Sequence, residues 1–171
     1  MIKMTTELFN KFSTKQEELD SMIREKFGIS DDEWKHRLDV NHSIALQTEV
    51  SEFINECHDL WKYWKQKAVV PERIIDEAID IIHFMHLIHN KSDVGNRKFV
   101  NKLNHFIEVY DKLKPGKEYV LYNLNSEIDY PEEKYAKLLY ILDHYAFTLE
   151  DIEKAYDKKW NENHARQQRN Y

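Results

Sequence analysis

The chain has 171 residues, 33% of them charged, and its formal net charge is −6. This negative balance argues against direct nucleic-acid binding, because proteins that bind nucleic acids generally present a basic face. The single cysteine, Cys57, excludes an intramolecular disulfide and fits a reducing compartment. No apolar run reaches the length of a membrane span, and the N-terminus lacks the apolar region of a signal peptide. We therefore expect a single cytoplasmic domain without a membrane segment.

The scarcity of glycine and proline, three of each, predicts an all-α fold. A first amphipathic helix is predicted over residues 5–27, with Gly28 as its stop. Gln16 lies within the apolar stripe of this helix, between the directions of Phe9 and Phe12. That position fits a buried amide bonded to the backbone, and it also fits a side chain that reads the donor–acceptor edge of a pyrimidine base.

Two acidic pairs lie in the next long helices, which are predicted over about 40–65 and 72–89. A spacing of three residues places both members of a pair on one face of a helix. The pairs are Glu49 with Glu52, and Glu77 with Asp80. The second of these helices is apolar around almost its whole circumference, so its acidic side chains are expected to be buried or to line a cleft.

A solvated face or a ladder of ion pairs would account for one such acidic pair alone. Two pairs on apolar helices, with no matching run of lysine or arginine beside them, indicate a metal site, because isolated buried carboxylates are costly. An all-oxygen donor set suits Mg²⁺, with positions left for water and phosphate oxygens. The sequence therefore indicates a candidate magnesium site.

The run WKYWK at 61–65 interleaves aromatic and basic residues at the predicted end of the first acidic helix. Such a run can consist of core residues with lysines that reach the surface, or it can supply a stacking platform for a base and cations for phosphates. His83 follows Asp80 by about one helical turn. A histidine there is either a satisfied core residue or a ligand, so both features leave two interpretations open.

The sequence pattern of residues 90–171 predicts structure less clearly. Residues 90–130 contain breaks in the helical pattern and are interpreted as an inserted, mobile, small helical subdomain. Further helices are predicted from Pro131 to about Tyr145, and after Thr148 as an N-cap. The residues from 155 onward are polar and locally basic, which fits a frayed end. If the centre of the chain binds metals and a polyanion, the same residues are a candidate clamp for phosphates.

These features together resemble the all-α dimeric dUTPases, a branch of the all-α, MazG-like NTP pyrophosphohydrolases found in phages, some bacteria and trypanosomatids. The matching segments are KQEELDSMI with Gln16, the E-x-x-E of ALQTEVSEF, WKYWK, the E-x-x-D-x-x-H of DEAIDIIHF, and the ending Y-x-x-K-x-x-x-N-x-x-RQ-x-x-N-Y at 156–171. The acidic pairs mark only the wider superfamily, whereas WKYWK and the ending are specific to dUTPases. Asn170 departs from the family pattern, which usually has glycine there, and asparagine tolerates the left-handed backbone next best.

The resemblance implies a MazG-like helical bundle that forms a single domain over 1–171 and assembles as a homodimer. Within it, 90–130 would be the inserted subdomain and about 156–171 a tail that closes over the substrate. The reaction implied is hydrolysis of dUTP, and of dUDP, to dUMP with release of pyrophosphate or phosphate.

The resemblance also assigns roles to individual residues. Two or more Mg²⁺ ions, for which Mn²⁺ can substitute, would be held by Glu49, Glu52, Glu77 and Asp80. Glu49 would in addition orient or deprotonate the attacking, metal-bound water. The uracil and deoxyribose pocket would consist of Gln16, Trp61, Trp64 and His83. Contacts to the nucleotide or its phosphates would come from Lys62, Tyr156, Lys159, Asn163 and Arg166.

Three alternatives stay open on the sequence. The same chemistry can act on another nucleotide such as dCTP, because the acidic pairs do not distinguish bases. The chain can instead be a helical interaction protein whose acidic face binds a partner, and phage members of the family also engage a repressor protein. An inactive homologue is the third alternative, although all four carboxylates are present.

Overall fold

The structure, a computed structural model, describes residues 1–126 and 130–169, and this part of the chain is helical without β-strands, which confirms the all-α prediction. The α-helices are α1 Thr6–Phe27, α2 Asp39–Glu56, α3 Pro71–Asn90, α4 Asn96–Leu113, α5 Lys117–Asn123, α6 Pro131–His144 and α7 Leu149–Gln168. A π-helical turn at Glu33–Arg37 and a 3₁₀ turn at His58–Leu60 flank α2. Within the described ranges, no helix is long and apolar enough to cross a membrane.

Local capping chemistry fixes both ends of α1 and the start of α7 where the sequence predicts them. Thr5 accepts a hydrogen bond from the Leu8 amide at 3.1 Å, and α1 ends at Gly28, whose φ of 63° suits a residue without Cβ. Thr148 and Asp151 form a reciprocal capping box at the start of α7. These ends follow from residues within a few positions of each other, so the sequence alone predicts them.

The prediction that α2 continues to Lys65 is wrong, because α2 ends at Glu56. The indole N–H of Trp61 donates to the Ile54 carbonyl at 2.9 Å. In a continuing helix that carbonyl would accept from the backbone N–H of His58. The aromatic side chain thus satisfies the acceptor that the next turn would need, and residues 61–65 leave the helix.

Helix α3 is the centre of the molecule and contacts α1, α2, α6 and α7. Its isoleucines Ile74, Ile79, Ile81 and Ile82 are fully buried, as the all-round apolar pattern predicts. Each isoleucine withdrawn from water contributes about 1.5–3 kcal/mol to folding, so α3 is a main source of core stability. The acidic side chains of α3 are therefore held on a rigid element.

The segment interpreted as an inserted subdomain shares its hydrophobic core with the rest of the domain. Helix α4 contributes Phe99 and Leu103 to the same buried cluster as α1, α3 and α6, and α5 contributes Leu121. Within its described part the segment thus packs as a layer of the same domain, and its mobility stays a prediction.

The polar end of the chain is helical as far as Gln168, so the interpretation of a frayed end from residue 155 is wrong. Two apolar side chains of α7, Ile152 and Tyr156, are fully buried against the core and hold the helix in place. The predicted closing tail at 156–171 therefore begins inside a docked helix. Its departure from the family pattern at Asn170 lies outside the described residues.

Candidate active site

Helices α2 and α3 lie side by side and bring three of the four predicted metal ligands together. One carboxylate oxygen from each of Glu49, Glu52 and Glu77 lies within 4.8 Å of the other two. Glu49 and Glu77 are partly buried and Glu52 is exposed, so the group opens to solvent on one side. Such a group of oxygen donors is suited to a hard divalent cation.

The electrostatics of this group are those of crowded carboxylates. Partial burial, followed by repulsion from Asp80 and the neighbouring glutamates, raises the pKa of Glu49 to about 7. Burial and repulsion from Glu52 and Asp80 raise the pKa of Glu77 to about 7 as well. Near neutral pH each of these two carboxyl groups is therefore partly protonated. A bound cation would stabilise the ionised forms.

The fourth predicted ligand, Asp80, is bonded to a lysine. Its Oδ2 atom lies 2.6 Å from the ammonium of Lys159 on α7, which also lies 3.2 Å from Oδ2 of Asp76. Asp76 was not predicted from the sequence. Its position one turn before Asp80 on the same face of α3 was the available signal.

Three predicted phosphate-binding residues share one face of α7. Lys159, Asn163 and Arg166 recur at spacings of four and three residues, and Lys159 contacts Asp80 directly. The charge of Arg166 also acts to lower the pKa of Asp80, whose pKa is nevertheless raised by burial. The cationic face of α7 is therefore turned toward the carboxylates of α3.

The predicted base-reading residues Gln16 and His83 lie next to each other in the core. The Oε1 atom of Gln16 accepts from Nδ1 of His83 at 2.6 Å, which places the ring proton on Nδ1. The amide nitrogen of Gln16 donates to Oδ1 of Asp20 at 2.7 Å. Both residues are buried, and Gln16 is bonded to the side chains of His83 and Asp20, so the prediction of a backbone-bonded amide is wrong. Their role in reading a base stays a prediction.

This buried group has two polar atoms without a hydrogen-bond partner in the described part of the chain, Asp20 Oδ2 and His83 Nε2. Burial raises the pKa of Asp20 to about 7 and lowers the pKa of His83 to about 3, so His83 is neutral at physiological pH. Asp20 was also missed from the sequence, although it follows Gln16 by four residues on the same helical face.

Tyr156 is fully buried between Phe12 and His83. Its ring stacks on Phe12 at 3.9 Å and on His83 at 4.3 Å, and its hydroxyl donates to the Phe12 carbonyl at 3.0 Å. A direct contact with phosphates is inconsistent with this burial. Tyr156 instead holds the His83 ring and α7 in position.

The WKYWK run forms a surface feature, so its interpretation as core residues is wrong. Trp61, Tyr63 and Trp64 are 40%, 94% and 62% exposed. The two indole rings meet edge-on with centroids 5.9 Å apart, and the ammonium of Lys62 lies 4.6 Å from the Trp61 ring centroid. Exposed aromatic faces beside a cation are suited to stacking on a base.

The fold and the site together define an all-helical protein with a carboxylate group, a cationic helix face and exposed aromatic rings, the elements of a helical nucleotide hydrolase. A family model described as dUTPase matches residues 8–171. The chain therefore belongs to the all-helical dUTPase family. Membership indicates a dUTP diphosphatase, a hydrolase that acts on dUTP. No curated protein and no solved structure matches the chain.

Proposed function

We propose that the protein hydrolyses dUTP, and dUDP, to dUMP with release of pyrophosphate or phosphate in a reaction that requires Mg²⁺. The observation that carries this proposal is the convergence of Glu49, Glu52 and Glu77 within 4.8 Å beside the cationic face of α7. Carboxylates that hold divalent cations and cations that hold phosphates are both needed for hydrolysis of a nucleotide.

The donor set fits magnesium. It consists of carboxylate oxygens without sulfur or imidazole donors, and this choice suits Mg²⁺ or Mn²⁺ over zinc or copper. Glu49, Glu52 and Glu77, with Asp80 once it leaves Lys159, would hold two or more ions. When bound, the ions neutralise charge on the phosphate chain and lower the pKa of water.

Glu49 is the residue that we propose to accept the proton of the attacking water. It is partly buried beside Glu52 and Glu77, and a carboxylate that a neighbouring divalent cation keeps ionised is available to accept a proton. Attack on the β-phosphorus would break the bond between this phosphorus and the oxygen shared with the α-phosphorus. The products would be dUMP and pyrophosphate from dUTP, or dUMP and phosphate from dUDP.

The substrate would be held by three groups of side chains. Lys159, Asn163 and Arg166 on one face of α7, with Lys62, would bind the phosphates. The exposed rings of Trp61 and Trp64 would stack on uracil. Gln16 and His83 would read the base edge by exchanging one of their present hydrogen bonds for bonds to the substrate, and Tyr156 would support them from the core.

We also propose a homodimer, as the family resemblance implies. Helix α3 is buried inside its own chain and needs no second copy, so the support lies elsewhere. Val40 and Ile44 are 68% and 57% exposed one turn apart on α2. A cavity of about 300 Å³ between α2, α3 and the start of α6 also has Leu46, Met85 and Ile88 in its lining. Sedimentation at micromolar concentration tests the dimer, and a monomer would contradict it.

The experiment that tests the function is pyrophosphate release from dUTP, dCTP, dTTP and UTP in parallel, with Mg²⁺ and with EDTA. Preference for dUTP that is lost in EDTA is expected. Release from another nucleotide would refute the uracil pocket and keep the metal site. No release from any nucleotide would favour the interaction-protein alternative, including a repressor partner. The cytoplasmic location, the MazG-like superfamily and the phage or bacterial type stay predictions from the sequence.

A further inference from the structure

Lys159 is an ion-paired cation at the edge of the acidic group, which consists of Glu49, Glu52 and Glu77. Its ammonium lies 2.6 Å from Asp80 and 3.2 Å from Asp76, and its side chain is only 13% exposed. Asp76 and Asp80 are one helical turn apart on α3, so one ammonium bridges both. A lysine that is largely withdrawn from water depends on these two partners, because an unpaired buried charge is costly.

The backbone that carries Lys159 is fixed on both sides of this residue. The buried Tyr156 hydroxyl donates to the Phe12 carbonyl at 3.0 Å, and the Trp160 indole donates to the Lys15 carbonyl at 2.7 Å. Both bonds dock α7 on α1 within one turn of Lys159. The ammonium can therefore change partners by rotation of its own flexible side chain, without movement of the helix.

Lys159 occupies an oxygen of Asp80 that a divalent cation would need if it recruited Asp80 through that atom. The carboxylates that converge within 4.8 Å belong to Glu49, Glu52 and Glu77, whereas Oδ2 of Asp80 is bonded to Lys159. A cation that recruits Asp80 through this oxygen must take it from the ammonium. Asp76 is then the remaining partner that prevents Lys159 from being left uncompensated.

Building on the function proposed above, we propose that Lys159 gives up Asp80 when metal binds, and that Asp76 is the positioning residue that keeps the ammonium beside the site. The side chain of Asp76 is 54% exposed, so it holds the ammonium at the open edge of the acidic group. A triphosphate entering from that edge meets a cation that is already in place. Preorganisation of this kind removes part of the entropy cost of ordering a lysine.

The test is a double-mutant cycle on Mg²⁺ affinity, measured by calorimetry on the substrate-free protein. Lys159→Met removes the competing ammonium and is expected to tighten Mg²⁺ binding about tenfold, the size of a charged hydrogen bond. Asp76→Asn is expected to weaken binding in the wild-type background, because Lys159 then has no alternative to Asp80. In the Lys159→Met background, Asp76→Asn is expected to weaken binding less, because only the loss of a nearby charge remains.

Lys158→Met is the matched control, since it removes the same charge from an exposed neighbouring position on α7. It is expected to change Mg²⁺ affinity less than twofold. Equal effects of Lys158→Met and Lys159→Met would overturn the competition. Equal effects of Asp76→Asn in the two backgrounds would overturn the positioning role. If Lys159→Met does not fold, Asp76→Asn still tests the proposal, because the half-exposed Asp76 side chain can be replaced without disturbing the core.

The kinetic readout separates positioning from a merely structural role. Asp76→Asn is expected to raise KM for dUTP several-fold with a smaller change in kcat, and Asp76→Glu is expected to restore much of the loss. A fall in kcat at constant KM would contradict the proposal. If the wild-type protein hydrolysed no nucleotide, the proposed function would fail, while the calorimetric cycle would still decide the exchange of Lys159.

Discussion

Replacing Glu49 by glutamine is expected to stabilise the metal-free protein while abolishing its activity. Burial and neighbouring carboxylates raise the pKa of Glu49 from an ordinary value of 4.5 to about 7. The contribution of Glu49 to stability is therefore present below pH 4.5 and is lost as the pH rises through about 7. A fully buried group with this pKa would cost about 3 kcal/mol at pH 8. Because Glu49 is partly exposed, we reduce this value to about 1–2 kcal/mol.

The assay is thermal unfolding in EDTA between pH 5 and pH 8, followed by unfolding with Mg²⁺. For a chain of this length, about 1–2 kcal/mol corresponds to a rise in Tm of about 3–6 °C for Glu49→Gln at pH 8. The difference from wild type is expected to shrink to about a quarter at pH 5, where Glu49 is protonated in the folded protein but still mostly ionised in the unfolded chain. With Mg²⁺ the order is expected to reverse, because wild type keeps a ligand that the variant lacks.

Comparison with wild type at each pH isolates Glu49 from other titrating groups. Asp20 has a raised pKa and follows the same sign, whereas His83 has a lowered pKa and destabilises the fold as the pH falls below 6.5. Glu18→Gln, at an exposed position of α1, is the matched control and is expected to leave Tm unchanged. Hydrolysis by Glu49→Gln is expected to fall at least about 100-fold. An equal or lower Tm of Glu49→Gln in EDTA at pH 8, or near wild-type hydrolysis, would refute the assignment.

Three further predictions follow from the site. Trp61→Ala is expected to raise KM for dUTP about tenfold, because stacking on a base is worth about 1–3 kcal/mol and the ring is exposed. It is also expected to lower Tm slightly, because the Ile54 carbonyl loses its indole donor. An unchanged KM would exclude stacking. Mg²⁺ binding is expected to tighten as the pH rises through about 7, because Glu49 and Glu77 must release their protons to bind the ion. Calorimetry in buffers of different ionisation enthalpy measures the number of protons released. The same heat of binding in all buffers would contradict this prediction. Tyr156→Ala is expected to lower the free energy of unfolding by about 3–5 kcal/mol. Tyr156→Phe is expected to lower it by about 1 kcal/mol and to keep its activity. Loss of activity in Tyr156→Phe at an unchanged Tm would indicate a direct role of the hydroxyl in the reaction.

The sequence predicted the fold wherever the deciding interactions are local. Thr5, Gly28 and Thr148 mark helix ends through contacts within a few residues, and the apolar pattern of α3 correctly predicted a buried helix. The end of α2 was mispredicted because the Trp61 side chain returns to the Ile54 carbonyl seven residues earlier. Helical periodicity carries no signal for such a contact.

Some residues of the candidate site were predicted from the sequence and others were missed, again because local patterns are visible in the sequence and long-range contacts are not. Glu49, Glu52 and Glu77 were identified correctly as neighbours because each pair repeats at helical spacing and only one further step, the packing of α2 on α3, brings the pairs together. Asp20 and Asp76 were missed because their importance comes from partners that lie far away in sequence, His83 through Gln16 and Lys159 on α7.

The sequence by itself determined that this chain is helical, that α3 is a buried helix, and that α2 and α3 each carry an acidic pair at helical spacing. Only the tertiary structure decided that Tyr156 is buried as a support and that Lys159 is bonded to a predicted metal ligand. The physical reason is that burial patterns and caps are properties of single helices, whereas charge pairing and pKa values depend on which helices meet. In this protein, the packing of α7 against α1 and α3 determines the charge pairing of Lys159 and the burial of Tyr156.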